Sequence, residues 1–406
     1  MNIAVISPDF PPIGVGGCSK SAYLLAQTLR KEHDVDVFVF NRIERVGEFI
    51  EAELDRMQIF VSKPQWLLLN NLFVFFSLWS RLKDHDVIHV YNVSTIVAVV
   101  LLRLFGRLKR GAQIVMTLNN HHGAVAARIQ YFRREQQSGK IKKERLIDTL
   151  QNEAVAGGFF GSIVRYFEVQ CICWAAKKAD WYIALTKQMR EDYVTAGYKP
   201  DRFVVIPNMV DREFEGGQVD NANKDDTINI LFVGQLSPLK GQQEFLQAFF
   251  TLSSDVQKRC RVLILGKGKI EAGLKQLASE KSSGEVIIDS VPNKELPDKY
   301  AEADILVHLS KYHEPFSRVL LEAMQYRLPI LATDHDGAHE ILGKTAIYCD
   351  PFSEQGIASQ LQRLIENEKL RQELADESVN QIKKYAPEIV KEKIKIFYNR
   401  IGKGRS

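Results

Sequence analysis

The stretch HEPFSRVLLEAM, residues 313–324, carries two glutamates, Glu314 and Glu322, with seven residues between them. Ser317 reads as a helix N-cap, because Val319, Leu320, Ala323 and Met324 follow it at helical spacing. Glu314 then falls in the loop before the helix, and Glu322 more than a turn inside it. At about 1.5 Å rise per residue, eight helical steps would set them about 12 Å apart. Two carboxyls that flank one glycosidic bond stand closer, at about 5 to 9.5 Å. An acid/base pair is therefore a poor reading. A ligand lying along a helix N-terminus can touch both residues, and the open N–H groups there favour an anion such as phosphate. The pattern points to a cradle for phosphate and sugar, with separate work for each carboxylate.

Three more loops have a related character. In ILFVGQLSPLKG (230–241), Lys240 and Gly241 lie between a strand and a helix, which sets a cation beside a helix start. In LGKGKIEAGL (265–274), Gly266 and Gly268 make a second tight strand-to-helix turn. Near the start, PDFPPIGVGGCSKSAYLLAQTL (8–29) has Gly14, Gly16 and Gly17, with Ser19 or Ser21 opening a helix. Glycines there let backbone N–H groups approach an anion closely. The run is G-x-G-G, not the dinucleotide G-x-G-x-x-G, and no acidic residue ends the second strand.

These loops need strands to hold them. Short apolar runs alternate with helical patterns along the whole chain, the signature of parallel α/β sheets. In the first half the expected strands are 2–7, 34–40, 86–91, 112–118, 181–185 and 203–207. In the second they are 228–234, 261–266, 285–289, 304–309, 329–333 and 346–350. The polar segment EGGQVDNANKDD (215–226) separates the two sets as a linker. The expected fold class is α/β, with two doubly wound Rossmann-like domains, residues 1–210 and 227–385, and a cleft between them.

Composition narrows the function. The 406 residues are 45% hydrophobic and 26% charged, as in a folded globular protein. Net charge is +4, but residues 1–205 hold 27 Lys and Arg against 20 Asp and Glu. Within 103–145, eleven basic residues face only Glu135 and Glu144. Close by, the apolar runs 66–79 and 94–106 fall short of the roughly 20 residues of a membrane span. Together, 66–145 suggests contact with an anionic membrane surface; a nucleic-acid partner is not expected. The start, MNIAVISPDFPP, lacks the basic and apolar regions of a signal peptide, so a cytoplasmic location is expected, peripheral at the membrane's inner face. The five cysteines are scattered, which suggests buried free thiols. Asp34-Val-Asp36, Asp84-His-Asp86 and Asp334-His-Asp336 match a metal-binding Asp-x-Asp, yet the first two sit at ordinary strand starts. Neither a metal nor a cofactor is expected.

The set PPIGVGG, VVIPNMVD, ILFVGQLSPLKG, LILGKG, EPFSRVLLEAMQYRLPILATD and AIYCDP closely resembles the retaining glycosyltransferases of family 4, which have the two-domain GT-B fold. The resemblance implies a metal-independent transferase that moves a sugar from a nucleotide-diphosphate-sugar donor to a glycan or lipid-linked acceptor. The acceptor belongs to the first domain and the donor to the second, and a closing helix, 387–401, packs back on the first. Glu322 would hold the ribose hydroxyls. Glu314, with the backbone of Phe316 and Ser317, would hold the transferred sugar. The backbone at Arg318 and Val319 would take the diphosphate, and Lys240 would neutralise it as it leaves. Gly16, Gly17 and Gly266 would lie near the donor phosphates. Gln235 stands where the family has an arginine, and Arg318 is the candidate to replace that charge. Ser317 and Met209 stand where glycine is usual. The family's strand-end histidine, a catalytic position, falls on Asn119, Asn120 or His121. The resemblance also leaves open a nucleotide-sugar epimerase or a non-catalytic binding subunit.

Overall fold

The computed structural model describes residues 1–8, 10–11, 17–41, 57–61, 67–119, 158–211, 227–312 and 314–403. The chain divides into two compact units. Among the described residues, the first unit holds those up to Asn208 together with those from Val390 onward, and the second holds Met209 to Ile389. The linker 215–226 lies outside the described residues.

The first unit is built on a seven-stranded parallel sheet: β1 (Asn2–Ser7), β2 (Asp34–Asn41), β3 (Met57–Val61), β4 (Val87–Val90), β5 (Gln113–Leu118), β6 (Trp181–Ala184) and β7 (Phe203–Val205). Their order is β3-β2-β1-β4-β5-β6-β7. Six of the seven coincide with expected runs. The seventh, β3, departs from expectation; it is a five-residue strand at the sheet edge, paired only with β2.

The second unit holds a six-stranded parallel sheet: β8 (Ile228–Val233), β9 (Cys260–Leu265), β10 (Glu285–Asp289), β11 (Ile305–His308), β12 (Ile330–Thr333) and β13 (Ala346–Cys349). Their order is β10-β9-β8-β11-β12-β13. Central strands are buried on both faces, as parallel sheets require. Phe232, Phe245, Phe249, Val262, Ile264, Val307 and Leu361 meet in one core between the sheet and its helices.

In each sheet the strand order reverses beside the first strand of the unit, between β1 and β4 and between β8 and β11. At such a point the two flanking loops leave in opposite directions and open a crevice at the strands' carboxyl ends. The loops after β8 and β11 carry Lys240 and Glu314. Topology alone therefore brings them to one edge.

The helix Pro387–Lys403 ends the described chain, with proline in its first turn as its fixed φ favours. From Val390 on, it packs on the first unit. Lys395 pairs with Glu32 at 2.7 Å, and Phe397 sits edge-on to Trp181. Tyr398 is hydrogen-bonded to His89 Nδ1, whose Nε2 meets Thr117 Oγ1 at 2.7 Å. Full burial pushes the His89 imidazole down to about 3, so it is neutral at physiological pH. None of the five cysteines is in a disulfide: Cys260 and Cys349 are buried, whereas Cys18, Cys171 and Cys173 are only half-buried, a partial departure from the expected buried set.

Candidate functional site

The loop after β8 runs through Gln235 and Lys240 into the helix Gln242–Phe250. Gly241 precedes that helix with φ +82°, and a Cβ there would stand 2.2 Å from the Leu309 carbonyl oxygen. Glycine is needed twice over, for the left-handed backbone and for the close approach. The Lys311 N–H donates to the Leu239 carbonyl at 2.8 Å and closes the same contact. Lys240 is thereby pressed against the loop after β11.

There Lys240 Nζ donates to both Glu314 oxygens, each at 2.8 Å. Ser310 Oγ donates to Glu314 Oε2 at 2.6 Å. His308, the last residue of β11, is 4% exposed. Its Nε2 lies 3.3 Å from the same oxygen, but off the line of a hydrogen bond. Burial alone would push the Glu314 carboxyl up. The Lys240 ammonium outweighs it, with help from His308, and holds the group well below the usual carboxylate range. Burial likewise works against the Lys240 charge, and Glu314 reverses it, so the ammonium stays protonated above the ordinary lysine value. The Tyr312 ring lies 5.2 Å from Nζ.

The second carboxylate sits apart from this cluster. Glu322, on the buried face of the helix Arg318–Gln325, accepts from Tyr300 at 2.8 Å. Arg318 Nε stands 3.9 Å from its other oxygen. The same guanidinium reaches Asp211 at 3.7 Å and the Met209 carbonyl at 3.4 Å. In this state Arg318 is engaged with Asp211, Met209 and Glu322. Gln235 is exposed, and its carbonyl accepts from Gln242 Nε2 at 2.9 Å.

Ser317 does occupy the N-cap position, with φ −94° and ψ 124°, but its hydroxyl caps no N–H. The expected side-chain cap is absent, and the first-turn N–H groups at Arg318 and Val319 are without it. Phe316 is buried against Tyr385, ring centroids 5.7 Å apart. Gly266 and Gly268 have a packing reason to be glycine. Added Cβ atoms would stand 1.9 Å from the carbonyl oxygens of Gly234 and Leu236, because the loops after β8 and β9 touch backbone to backbone. Asp334 of the third Asp-x-Asp is taken by His339 at 2.7 Å.

In the first unit the helix starts at Gly17, not at Ser19 or Ser21, both of which are buried within Gly17–Arg30. Asn119, at the end of β5, donates to the Tyr91 carbonyl at 2.7 Å and to Cys18 Sγ at 3.0 Å. That ties the ends of β4 and β5 to the helix start. Gly16, Asn120 and His121 lie outside the described residues.

Sequence reasoning does not reach Tyr300, His308, Ser310 or Asp211. Asp211 closes the motif VVIPNMVD, which is the one signal that points to it. The other three belong to no recognisable spacing.

Two family models match the chain in succession: Glycosyltransferase Family 4 over residues 15–214 and Glycosyl transferases group 1 over 217–381. An uncharacterized glycosyltransferase of Methanocaldococcus jannaschii is 23% identical over 399 residues, 93% of each chain. The amylovoran biosynthesis glycosyltransferase AmsD of Erwinia amylovora is 26% identical over 241 residues, 58% of this chain and 65% of its own. HepE of Anabaena, solved in complex with UDP-glucose, superposes with a TM-score of 0.71 at 16% identity, covering 98% of this chain and 100% of its own. That likeness carries the GT-B fold. With one family model on each half, in the order the fold requires, the chain belongs to the group 1, family 4 glycosyltransferases.

Proposed function

We propose that this glycosyltransferase moves a sugar from a nucleotide-diphosphate-sugar to a glycan or lipid-linked acceptor, with retention of anomeric configuration. The product belongs to a cell-surface polysaccharide or lipopolysaccharide. The observation that carries the reading is the buried Lys240–Glu314 pair at the switch point of the second sheet, beside a helix start that Ser317 does not cap. In this reading Lys240 neutralises the leaving diphosphate, and the N–H groups of Arg318 and Val319 bind it. Glu314 and the backbone of Phe316 and Ser317 hold the sugar. Glu322, steadied by Tyr300, holds the ribose. Both Glu314 oxygens are taken by Lys240 and Ser310, which favours attack on the leaving-group face over a double displacement through Glu314. The UDP-glucose in HepE and the amylovoran pathway of AmsD are consistent with this donor and product class. The test is incubation with a panel of nucleotide-sugars and glycan or polyprenyl-linked acceptors. New glycoside with free nucleotide is the expected result. A sugar epimer formed without acceptor would identify an epimerase, and binding without turnover a non-catalytic subunit.

The acceptor side of the reading includes docking of the first domain on an anionic lipid surface. Among the described residues no helix is long and apolar enough to cross a membrane. The helix Ile96–Leu104 packs against both Leu67–Leu78 and Gly158–Ala176. Leu69, Leu72 and Phe76, at helical spacing, are exposed, as are Leu104, Phe105, Phe167 and Trp174. Phe105 packs on Phe75 and Trp79, and Arg107 stacks on Trp79 at 4.0 Å. Exposed Arg81, Arg110, Lys177 and Lys178 supply charge complementary to anionic headgroups. Arg133, Arg134, Lys142 and Lys143 lie outside the described residues. Each basic residue near such a surface contributes about 1 kcal/mol. Changing Arg110, Lys177 and Lys178 to glutamine should therefore weaken binding to phosphatidylglycerol vesicles about 100-fold, and salt should weaken it further. Wild-type protein that ignores such vesicles at low salt would point to a soluble acceptor.

A further inference from the structure

The Lys240–Glu314 pair poses a problem of charge once a diphosphate arrives. Lys240 directs two N–H groups at Glu314. A diphosphate on Lys240 competes for that ammonium. The Glu314 side chain is only 14% exposed, and a carboxylate so buried is strongly disfavoured without a counter-charge. Ser310 offers it one neutral hydrogen bond.

Beside them stands His308, with neither ring nitrogen hydrogen-bonded among the described residues. Buried polar groups are nearly always paired, so an imidazole left open within 3.3 Å of a carboxylate asks for a reason. Its backbone is fixed in β11, opposite Ala332 of β12. A small turn of the ring would align Nε2 on Glu314. Among the described residues, the titratable groups that interact within this cluster are Glu314, Lys240 and Tyr312.

We propose that His308 is a positioning residue that takes over the Glu314 carboxylate when a diphosphate draws the Lys240 ammonium away. The inference rests on the donor-site reading above. The imidazole takes a proton from solvent and donates Nε2–H to Glu314 Oε2. Glu314 stays ionised and oriented toward a sugar hydroxyl, while Lys240 turns to the diphosphate. One proton enters the site with the ligand.

Nitrogen-15 NMR of the histidines in the full chain tests this, the His308 signals being assigned by their loss in His308→Gln. Lys240→Met mimics withdrawal of the ammonium without any ligand. It should move the midpoint of the His308 titration up by about one pH unit or more, and Lys240→Met combined with Glu314→Gln should return it. An unmoved midpoint in Lys240→Met overturns the proposal, whatever the protein binds. Uridine diphosphate and inorganic pyrophosphate, added to wild type, should reproduce the movement. Calorimetry in buffers of different ionisation enthalpy should show more proton uptake in wild type than in His308→Gln. A diphosphate that binds by calorimetry yet leaves the midpoint unmoved also overturns the proposal, whereas failure of either diphosphate to bind at all counts against the donor-site reading.

Discussion

Lys240→Met is expected to destabilise the second domain by about 3–5 kcal/mol, the usual consequence of leaving one member of a buried ion pair alone. Turnover should fall about 100-fold or more with loss of the cation at the developing diphosphate charge. Combining Lys240→Met with Glu314→Gln should restore most of the stability and none of the turnover, since the orphaned charge disappears with its partner. The pH dependence has a definite sign. In wild type Glu314 titrates below its unfolded value, so its contribution is complete above the ordinary carboxylate range and is lost as pH falls through the lower, folded value. Lys240 titrates above its unfolded value, so its contribution is complete below about 10.5 and is lost as pH rises through the higher, folded value. In Lys240→Met the buried Glu314 charge instead draws a proton into the site on folding, which His308 takes up in the inference above. The deficit should therefore be widest from neutral to mildly alkaline pH and narrow on acidification. Urea unfolding across that range measures it. A deficit independent of pH would show that the pair is not its source.

The two glutamates should separate in kinetics. Glu314→Gln is expected to lower kcat about 100-fold with no loss of nucleoside diphosphate affinity, because this carboxylate serves the sugar and competes with the diphosphate for Lys240. Glu322→Gln is expected to weaken nucleoside diphosphate binding roughly 10-fold, the loss of one hydrogen bond from a charged acceptor in a buried site. Glutamine is chosen in both places to keep volume and to spare neighbours. At Glu322 an alanine would strip Tyr300 of its acceptor and Arg318 of one of its carboxylates. Titration of uridine diphosphate against each variant, beside steady-state rates, reads the split. Equal losses of affinity in the two would overturn the division of labour.

Most of the fold is legible in the amino-acid sequence, because buried parallel strands are spelled as dense apolar runs such as IAVI or ILFV. β3 is not legible, for the complementary reason. Met57–Val61 pairs on one side only and lies within 45–80, a stretch with no recognisable motif. At the site, Lys240, Glu314 and Glu322 stand out because each holds a fixed offset from a strand end or helix start. Their partners do not. Tyr300 reaches Glu322 across 22 residues from the helix Leu296–Glu302, and His308 is a single histidine in an otherwise apolar strand. Contacts made across elements leave no periodic trace in a sequence. The glycines are a different case. Gly266 and Gly268 suggest room for an anion, and the geometry gives them a packing reason: neighbouring loops too close for any Cβ.

The helix Pro387–Lys403 has a bearing on how the protein is made. Val390, Ile394, Phe397, Tyr398 and Ile401 are buried from Val390 onward, in the part of this helix that belongs to the first unit, and Tyr398 completes the polar network of His89 and Thr117. The ribosome delivers these residues only after every strand of the second unit. Multidomain chains generally fold from the N-terminus as they emerge. Here the unit that begins synthesis first must wait with part of its core unfilled, while the unit translated later already has all it needs. During that interval the earlier unit is the one exposed to chaperones and proteases. A released chain truncated just before Val390 should accordingly carry a protease-resistant second unit and a still-cleavable first.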